Sequence, residues 1–269
     1  MLSCHLMGGL GNQLFQIFAA ISYAMRSENP FIFLNIDQLD AKRHTYWNTF
    51  LASLKPFLHN MLNNPTIIRE KNFRFNDLDV TAMRGQQVCI FGYFQSYKYF
   101  QDYYNVIKKL IRLDEQRAKI MEKVHVKPNT VSVHFRLGDY KAIQHVHPLM
   151  PYEYYKESIH LIGGKEHIVY FCEDEDLAQV VHTVSKLMLD FPMLTFARAP
   201  SELEDWEQML LMSCCAHNVI ANSSFSWWGA YFNSNPDKMV CYPSVWFGPT
   251  IGHDTSDLCP ESWNRIVVR

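Results

Sequence analysis

A basic and an acidic side chain stand close together in the segment 131–140 (VSVHFRLGDY), where an apolar run ends in a turn. Because side chains alternate along a strand, His134 and Arg136 point to one face, and the apolar residues between them point to the core. Gly138 then turns the chain and presents Asp139. Arginine is the preferred partner of phosphate, and histidine or aspartate can act as a general base. The spacing indicates an anion-binding, proton-transferring site, but position alone fits a surface ion pair at a turn equally well.

Amide and hydroxyl side chains also crowd the start of a predicted helix in the segment 220–229 (IANSSFSWWG). Free backbone N–H groups and hydroxyls at a helix N-terminus form an anion site. Plain N-capping would explain one such residue, but it does not explain the whole cluster. We therefore predict a second ligand contact here, and we expect the two tryptophans to lie in the core. The predicted contact residues are Asn222, Ser223, Ser224 and Phe225.

A glycine-rich loop occupies the segment 8–13 (GGLGNQ), between a short apolar run and a helical pattern. Glycines let the backbone approach a diphosphate closely. The loop matches neither the dinucleotide fingerprint nor the P-loop, so the pattern alone is not diagnostic. The residues predicted to contact a ligand are Gly9, Leu10, Gly11 and Asn12.

Four acidic residues follow a predicted buried strand in the segment 173–176 (EDED). A carboxylate of Glu173 or Asp174 could accept the two edge donors of guanine. The alternative is that acidic residues favour the N-terminus of the helix that begins here.

Two weaker patterns could suggest a metal ion. The segments 77–79 and 174–176 both match D-x-D, a short pattern that often occurs by chance. His145 and His147 have no further ligands nearby in the sequence, whereas zinc needs three or four. We therefore predict no metal site.

The predicted elements that position these residues alternate between strands and helices. This alternation is typical of an α/β fold with a mostly parallel sheet. The break at Pro128 and Asn129 predicts two domains, 1–127 and 128–269. Strands are predicted at 2–7, 89–94, 131–135, 168–172, 219–221 and 239–242, and helices at 13–25, 101–126, 152–162, 176–189, 201–214 and 225–232.

Composition excludes several classes of protein. Hydrophobic residues make up 48% and charged residues 19%, which is a globular balance, and the net charge of -2 gives no basic excess for nucleic acid. The seven cysteines show no disulfide or zinc framework, so we expect buried thiols in a reducing compartment. No signal peptide or transmembrane run is visible, which predicts a soluble, cytoplasmic protein of bacterial or viral type.

Taken together, these segments resemble glycosyltransferase family 11, the α-1,2-fucosyltransferases. The resemblance implies a GT-B-like arrangement of two Rossmann-like lobes with the donor site in the cleft. The lobe 1–127 would carry the acceptor side and the glycine-rich loop, and the lobe 128–269 would bind GDP-fucose. The matching segments span nearly the whole chain in the family's order: 8–16, 92–100, 134–140, 221–230, 246–247 and 260–263.

The resemblance implies inverting transfer of L-fucose from GDP-β-L-fucose to the 2-hydroxyl of a terminal galactose on a glycan. It also implies that no metal or other cofactor is needed. Arg136 would hold the diphosphate, Asp139 is our first candidate for the base, and His134 is the second. The family's usual second arginine is Leu137 here, and its usual Ser-Asp-Asp is 172–174 (CED). The alternatives are a metal-dependent glycosyltransferase with another donor and a non-catalytic protein that binds a GDP-sugar.

Overall fold

A computed structural model describes residues 1–79 and 81–268. The chain forms two compact units, Met1–Glu115 with His253–Pro260, and Gln116–Gly252 with Glu261–Arg269. The first boundary comes earlier than the predicted one at 127–128, because residues 116–123 pack on the second unit. There the Arg117 side chain donates to the Ser213 hydroxyl at 3.0 Å and to its carbonyl at 2.9 Å.

The first unit contains a three-stranded parallel sheet in the order β1-β5-β4 and a separate parallel pair, β2-β3. The long helix α1 is buried along most of its length, as its apolar sequence predicts. The helices and strands are β1 (Leu2–Cys4), α1 (Leu10–Arg26), β2 (Phe33–Leu34), β3 (Leu58–His59), β4 (Thr66–Arg69), β5 (Val88–Phe91) and α2 (Tyr104–Leu110). Helix α3 (Leu113–Lys123) begins in this unit, but its residues 116–123 belong to the second unit.

The prediction of one helix over 101–126 is wrong. A short 3-10 turn precedes α2, and α2 and α3 are separated at Arg112, which has a φ of 52°. Left-handed backbone at a residue other than glycine ends a helix without any signal in the sequence.

The second unit contains a six-stranded sheet in the order β11-β10-β9-β6-β7-β8. Every strand pair in it is parallel, which confirms the predicted α/β class. The elements are β6 (Thr130–His134), α4 (Tyr152–Leu161), β7 (His167–Phe171), α5 (Leu177–Asp190), β8 (Thr195–Arg198), α6 (Asp205–Ser213), β9 (His217–Val219), α7 (Ser224–Tyr231), β10 (Val240–Pro243) and β11 (Asn264–Ile266).

The central strand β6 is buried on both faces. Val131 and Val133 belong to the hydrophobic core, and on the other face the Ser132 hydroxyl accepts a hydrogen bond from Asn218 at 2.7 Å. A strand that is buried on both faces has little conformational freedom, so it fixes the position of the residues that follow it. In an open parallel sheet, ligands bind at the carboxyl ends of the strands, where the predicted site residues lie.

In the second unit, two details differ from the sequence prediction. Helix α6 begins at Asp205 rather than near residue 201, because Glu204 is the N-cap and forms a capping box with Glu207. The outer strands β8 and β11 were missed, because each is short and only partly buried.

Candidate functional site

Three neighbouring strands bring most of the predicted site residues to one edge of the second unit's sheet. Arg136 follows β6, Glu173 follows β7, and Asn222 follows β9. Since β7 and β9 both pair with β6 in parallel, the carboxyl ends of the three strands lie side by side. Arg136, Glu173 and Asn222 therefore lie at the same end of neighbouring strands, and their roles in binding stay predictions.

Arg136 is the charged centre of this edge. Its guanidinium pairs with the carboxylates of Asp139 and Glu173, and its carbon Cζ lies 4.8 Å from the centre of the Tyr140 ring. Burial alone lowers the pKa of Arg136, but Glu173 and Asp139 more than offset this, so the pKa lies above its ordinary value. The group is a permanent cation that its neighbours hold in place.

The turn after Arg136 requires glycine. Gly138 has a φ of 41°, and a Cβ added there would lie 2.7 Å from Glu173 Oε2 and 3.1 Å from Arg136 Nη1. The Gly138 N–H donates to Asp176 Oδ2 at 2.7 Å, and Lys141 Nζ lies 2.6 Å from Asp176 Oδ1. The buried carboxylate of Asp176 thus binds both ends of the turn that carries Asp139.

His134 lies at the end of β6 and is buried. Its ring centre is 5.6 Å from that of Phe225, and its Nδ1 has no hydrogen-bond partner among the described residues. Burial, helped by the charge of Arg136, lowers the pKa of His134 to about 3. The imidazole is therefore neutral near pH 7 and is a poor proton acceptor.

The predicted contacts at 222–225 lie around the start of α7. Asn222 donates from its amide nitrogen to the carbonyls of Pro148 and Trp246, at 3.0 and 3.1 Å, so this side chain ties two loops together. Its Oδ1 is buried without a partner among the described residues. Ser223 is the N-cap of α7, but its hydroxyl makes no capping bond. The backbone N–H groups of the first turn remain the best anion donors of this segment.

The carboxylates predicted to bind guanine already have cationic partners. Glu173 pairs with Arg136, and Asp174 pairs with Arg198 of β8. Both carboxylates are more than half exposed, so a ligand can compete for them.

Sequence reasoning missed an aromatic stack beside Arg136. The rings of Tyr140 and His147 are stacked with centres 4.5 Å apart, and Phe247 lies 5.5 Å from His147. The loops that carry them are joined where the Gly248 N–H donates to the Val146 carbonyl at 2.8 Å. Aromatic faces next to a cation are suited to binding sugar or base rings.

The sequence of this chain matches a known protein family over most of its length. The profile of glycosyl transferase family 11 matches residues 1–246. The chain belongs to glycosyl transferase family 11. Its members are glycosyltransferases, so the carboxyl edge of the sheet is the candidate donor site of such an enzyme.

Curated relatives of this family 11 chain align over nearly its whole length. It is 29% identical to the O-antigen biosynthesis glycosyltransferase WbnK of Escherichia coli, over 99% of this chain and 100% of the relative. It is 28% identical to an alpha-1,2-colitosyltransferase of Escherichia coli, over 97% of each chain. It is 24% identical to a galactoside 2-alpha-L-fucosyltransferase of Caenorhabditis elegans, over 96% of this chain and 77% of the relative.

The fold of the family 11 chain is of the GT-B type. The structure of Escherichia coli ADP-heptose LPS heptosyltransferase II matches 99% of this chain and 90% of its own, with a TM-score of 0.54 and 10% sequence identity. The likeness confirms the predicted fold class.

The glycine loop of the family 11 enzyme lies in the first unit. Gly8 has a φ of 78°, and a Cβ there would collide with the Asn12 side chain. Asn12 accepts a hydrogen bond from Gln95 at 2.8 Å, and Gln13 donates to the carbonyls of Gly8 and His44. Helix α1 begins at Leu10, without a side-chain cap. These hydrogen bonds tie the loop to its surroundings, and its role in binding a diphosphate stays a prediction.

The D-x-D segments of the family 11 chain have protein partners. Arg26 donates to both oxygens of Asp77, at 2.7 and 2.6 Å, and Asp176 is buried under Gly138 and Lys141. Within residues 1–79 and 81–268, no three His, Cys, Asp or Glu side chains are grouped so that they could hold a metal ion. In the same part of the chain, no helix has the length and apolar character to cross a bilayer.

Proposed function

We propose that this glycosyltransferase transfers L-fucose from GDP-β-L-fucose to the 2-hydroxyl of a terminal galactose on a glycan, with inversion to an α-1,2 linkage. The observation that carries the proposal is Arg136, a permanent cation fixed at the carboxyl end of the central strand. Family membership supplies the reaction class. The names of an alpha-1,2-colitosyltransferase and a galactoside 2-alpha-L-fucosyltransferase among the relatives support the linkage.

In the proposed reaction, the acceptor oxygen attacks the anomeric carbon of fucose while the bond to GDP breaks. GDP leaves with the electron pair, so negative charge grows on the diphosphate. Arg136 would neutralise this charge without a divalent cation. The first backbone N–H groups of α7 would stabilise the same charge further. The diphosphate would replace Glu173 on the guanidinium, because the half-exposed Glu173 carboxylate can turn to solvent.

The acceptor hydroxyl must also lose a proton. Asp139 is the better candidate for the base, because its side chain is 58% exposed and Arg136 holds it at the site. His134 is buried, so an acceptor hydroxyl has less access to its imidazole. Asp139 would then serve two purposes, since it also orients Arg136.

A second donor deserves testing, because one of the relatives is an alpha-1,2-colitosyltransferase. Colitose would require the same charge stabilisation at Arg136 and would differ only in the sugar contacts. The residues that contact the sugar ring of the donor would therefore decide between fucose and colitose.

The test is release of GDP from GDP-fucose or GDP-colitose with a panel of β-galactosides, in the presence of EDTA. We expect acceptor-dependent release that survives EDTA. Arg136→Ala should reduce turnover by about 10² to 10³, the usual effect of removing one preorganised charge stabiliser. Asp139→Asn should reduce it by about 10² to 10⁴ if Asp139 is the base.

A matched control is Arg265→Ala, because Arg265 is an exposed arginine of the same unit and lies in β11. It should keep the parental rate. Loss of all activity in EDTA with recovery on adding Mn²⁺ or Mg²⁺ would favour a metal-dependent transferase. Tight GDP-fucose binding without release for any acceptor would favour a non-catalytic binding protein.

A further inference from the structure

One edge of the second unit's sheet is open. Within residues 1–79 and 81–268, strand β8 is outermost in this sheet and pairs only with β7. The Thr195 N–H donates to the Glu166 carbonyl and the Ala199 N–H to the Tyr170 carbonyl, so the odd-numbered residues bond inward. The N–H and C=O groups of Phe196 and Arg198 therefore point away from the sheet. An edge of this kind is a template for another strand.

Helix α5, which leads into β8, continues this edge with an apolar flank. Its Val180, Val184 and Leu187 side chains face the core. Val181 and Met188 are half exposed, and beyond them Leu189 is 83% exposed and Met193 is 90% exposed.

The apolar flank of α5 faces away from α4. Asp190 pairs with Lys156 of α4 at 3.0 Å, which marks the flank that packs against that helix. Val181 lies nine residues before Asp190, which at about 100° per residue places it on the opposite flank. Since α4 precedes β7 and α5 precedes β8, the flank of Val181 and Met188 lies on the side of the open edge.

We propose that β8 and the apolar flank of α5 form a two-fold interface with a second copy of this chain. A two-fold axis at Ala197 would set Phe196 opposite Arg198 of the second copy. Each such pair exchanges two main-chain hydrogen bonds, and the axis relates the two pairs. The exposed side chain of Ala197 is small enough for the close pair that forms at the axis.

Charge and area favour a second copy as the occupant. The exposed flank at 178, 181, 182, 185, 188 and 189 carries no Asp, Glu, Lys or Arg, and His182 is its single ionisable side chain, so two copies can face each other without opposing carboxylates, lysines or arginines. A lipid surface would offer nothing to the outward N–H groups of β8. A stable interface buries about 800 Å² of surface on each partner. The exposed apolar side chains here provide roughly 500 Å² of that area, and the exposed surface of strand β8 would provide the remainder. These side chains are Val181, Met188, Leu189 and Met193.

The test is the mass of the full chain in solution, by light scattering on a sizing column over a range of concentrations. The chain has a mass of 31.6 kDa, and we expect twice this value. Leu189→Lys and Met193→Lys should each shift the mass toward the monomer, because a buried lysine has no partner at the interface. Both residues are mostly exposed, so the variants should fold with the parental circular dichroism and melting temperature.

Met121→Lys is the matched control, since Met121 is an apolar residue of α3 that is 54% exposed and should leave the dimer intact. Ala197→Cys tests the register, because two cysteines at the axis would oxidise to a disulfide-linked dimer, whereas Met121→Cys would not. A parent chain that is monomeric at every concentration overturns the proposal. So does a dimer that survives both lysine variants, or a monomer that binds lipid vesicles through Leu189.

Discussion

Replacing Asp176 tests whether one buried carboxylate sets the position of the charged centre. Asp176 accepts from the Gly138 N–H and pairs with Lys141, and it contacts neither Arg136 nor Asp139 by any described bond. In Asp176→Asn the shape is kept, but the charge-assisted bond becomes a neutral one. The difference between those bonds is about 1–2 kcal/mol. The Lys141 pair adds little, because that lysine is 42% exposed.

The stability assay is urea unfolding followed by fluorescence. We expect Asp176→Asn to lose about 1–2 kcal/mol of unfolding free energy and Asp176→Ala to lose about 2–4 kcal/mol, since alanine leaves the Gly138 N–H buried without an acceptor. The control is Glu175→Gln, an exposed neighbour in the same acidic run, which should match the parent.

The GDP-release assay then separates positioning from stability. A small displacement of Arg136 should lower kcat by about 10² at a temperature where the variant is fully folded, with a smaller rise in the KM for donor. The reason is that Arg136 acts on charge that develops only as GDP leaves. If Asp176→Asn kept both the parental kcat and the parental midpoint of urea unfolding, Asp176 would not set the position of Arg136.

The remaining predictions concern His134 and Gly138. The folded pKa of His134, about 3, lies below the unfolded value of 6.5, so its contribution to stability is present above pH 6.5 and is lost as pH falls toward 3. Between pH 7.5 and 5.5, His134→Gln should therefore lose about 1 kcal/mol less unfolding free energy than the parent, and equal losses would contradict the buried neutral state. Gly138→Ala should lower the rate of GDP release by at least about 10-fold, because the added Cβ collides with Glu173 and Arg136. The control is Gly163→Ala, where the added Cβ meets open space and the rate should stay at the parental value. A Gly138→Ala variant with the parental rate would show that the turn can adapt.

The parallel sheet and the convergence of Arg136, Glu173 and Asn222 could be predicted, because alternation of apolar strands and helices fixes which chain ends meet. The partners of these residues could not. The acidic run 173–176 looks uniform in sequence, yet only Asp176 is buried, because it lies under the turn at Gly138. Such selection depends on tertiary packing that local spacing does not encode.

The aromatic stack shows the same limit. Tyr140 and His147 lie seven residues apart, but Phe247 comes from a distant segment and meets His147 only in the folded chain. The periodicity of apolar residues also does not reveal the helix break at Arg112, where left-handed backbone separates α2 from α3. The boundary between the units also lies earlier than predicted, because most of α3 belongs to the second unit, where Arg117 bonds to Ser213.

The segment His253–Pro260 belongs to the first unit although it is near the end of the chain. Its Asp257 pairs with Arg74 and Lys98, and its carbonyl accepts from the buried Ser96 hydroxyl at 2.6 Å. Lys98 and Asp257 are 159 residues apart in the chain, so during synthesis the first unit completes its packing only after strands β6 to β10 of the second unit have been made. A truncation that removes residues 253–269 would therefore take strand β11 from the second unit and the Asp257 contacts from the first unit, so it should destabilise both units.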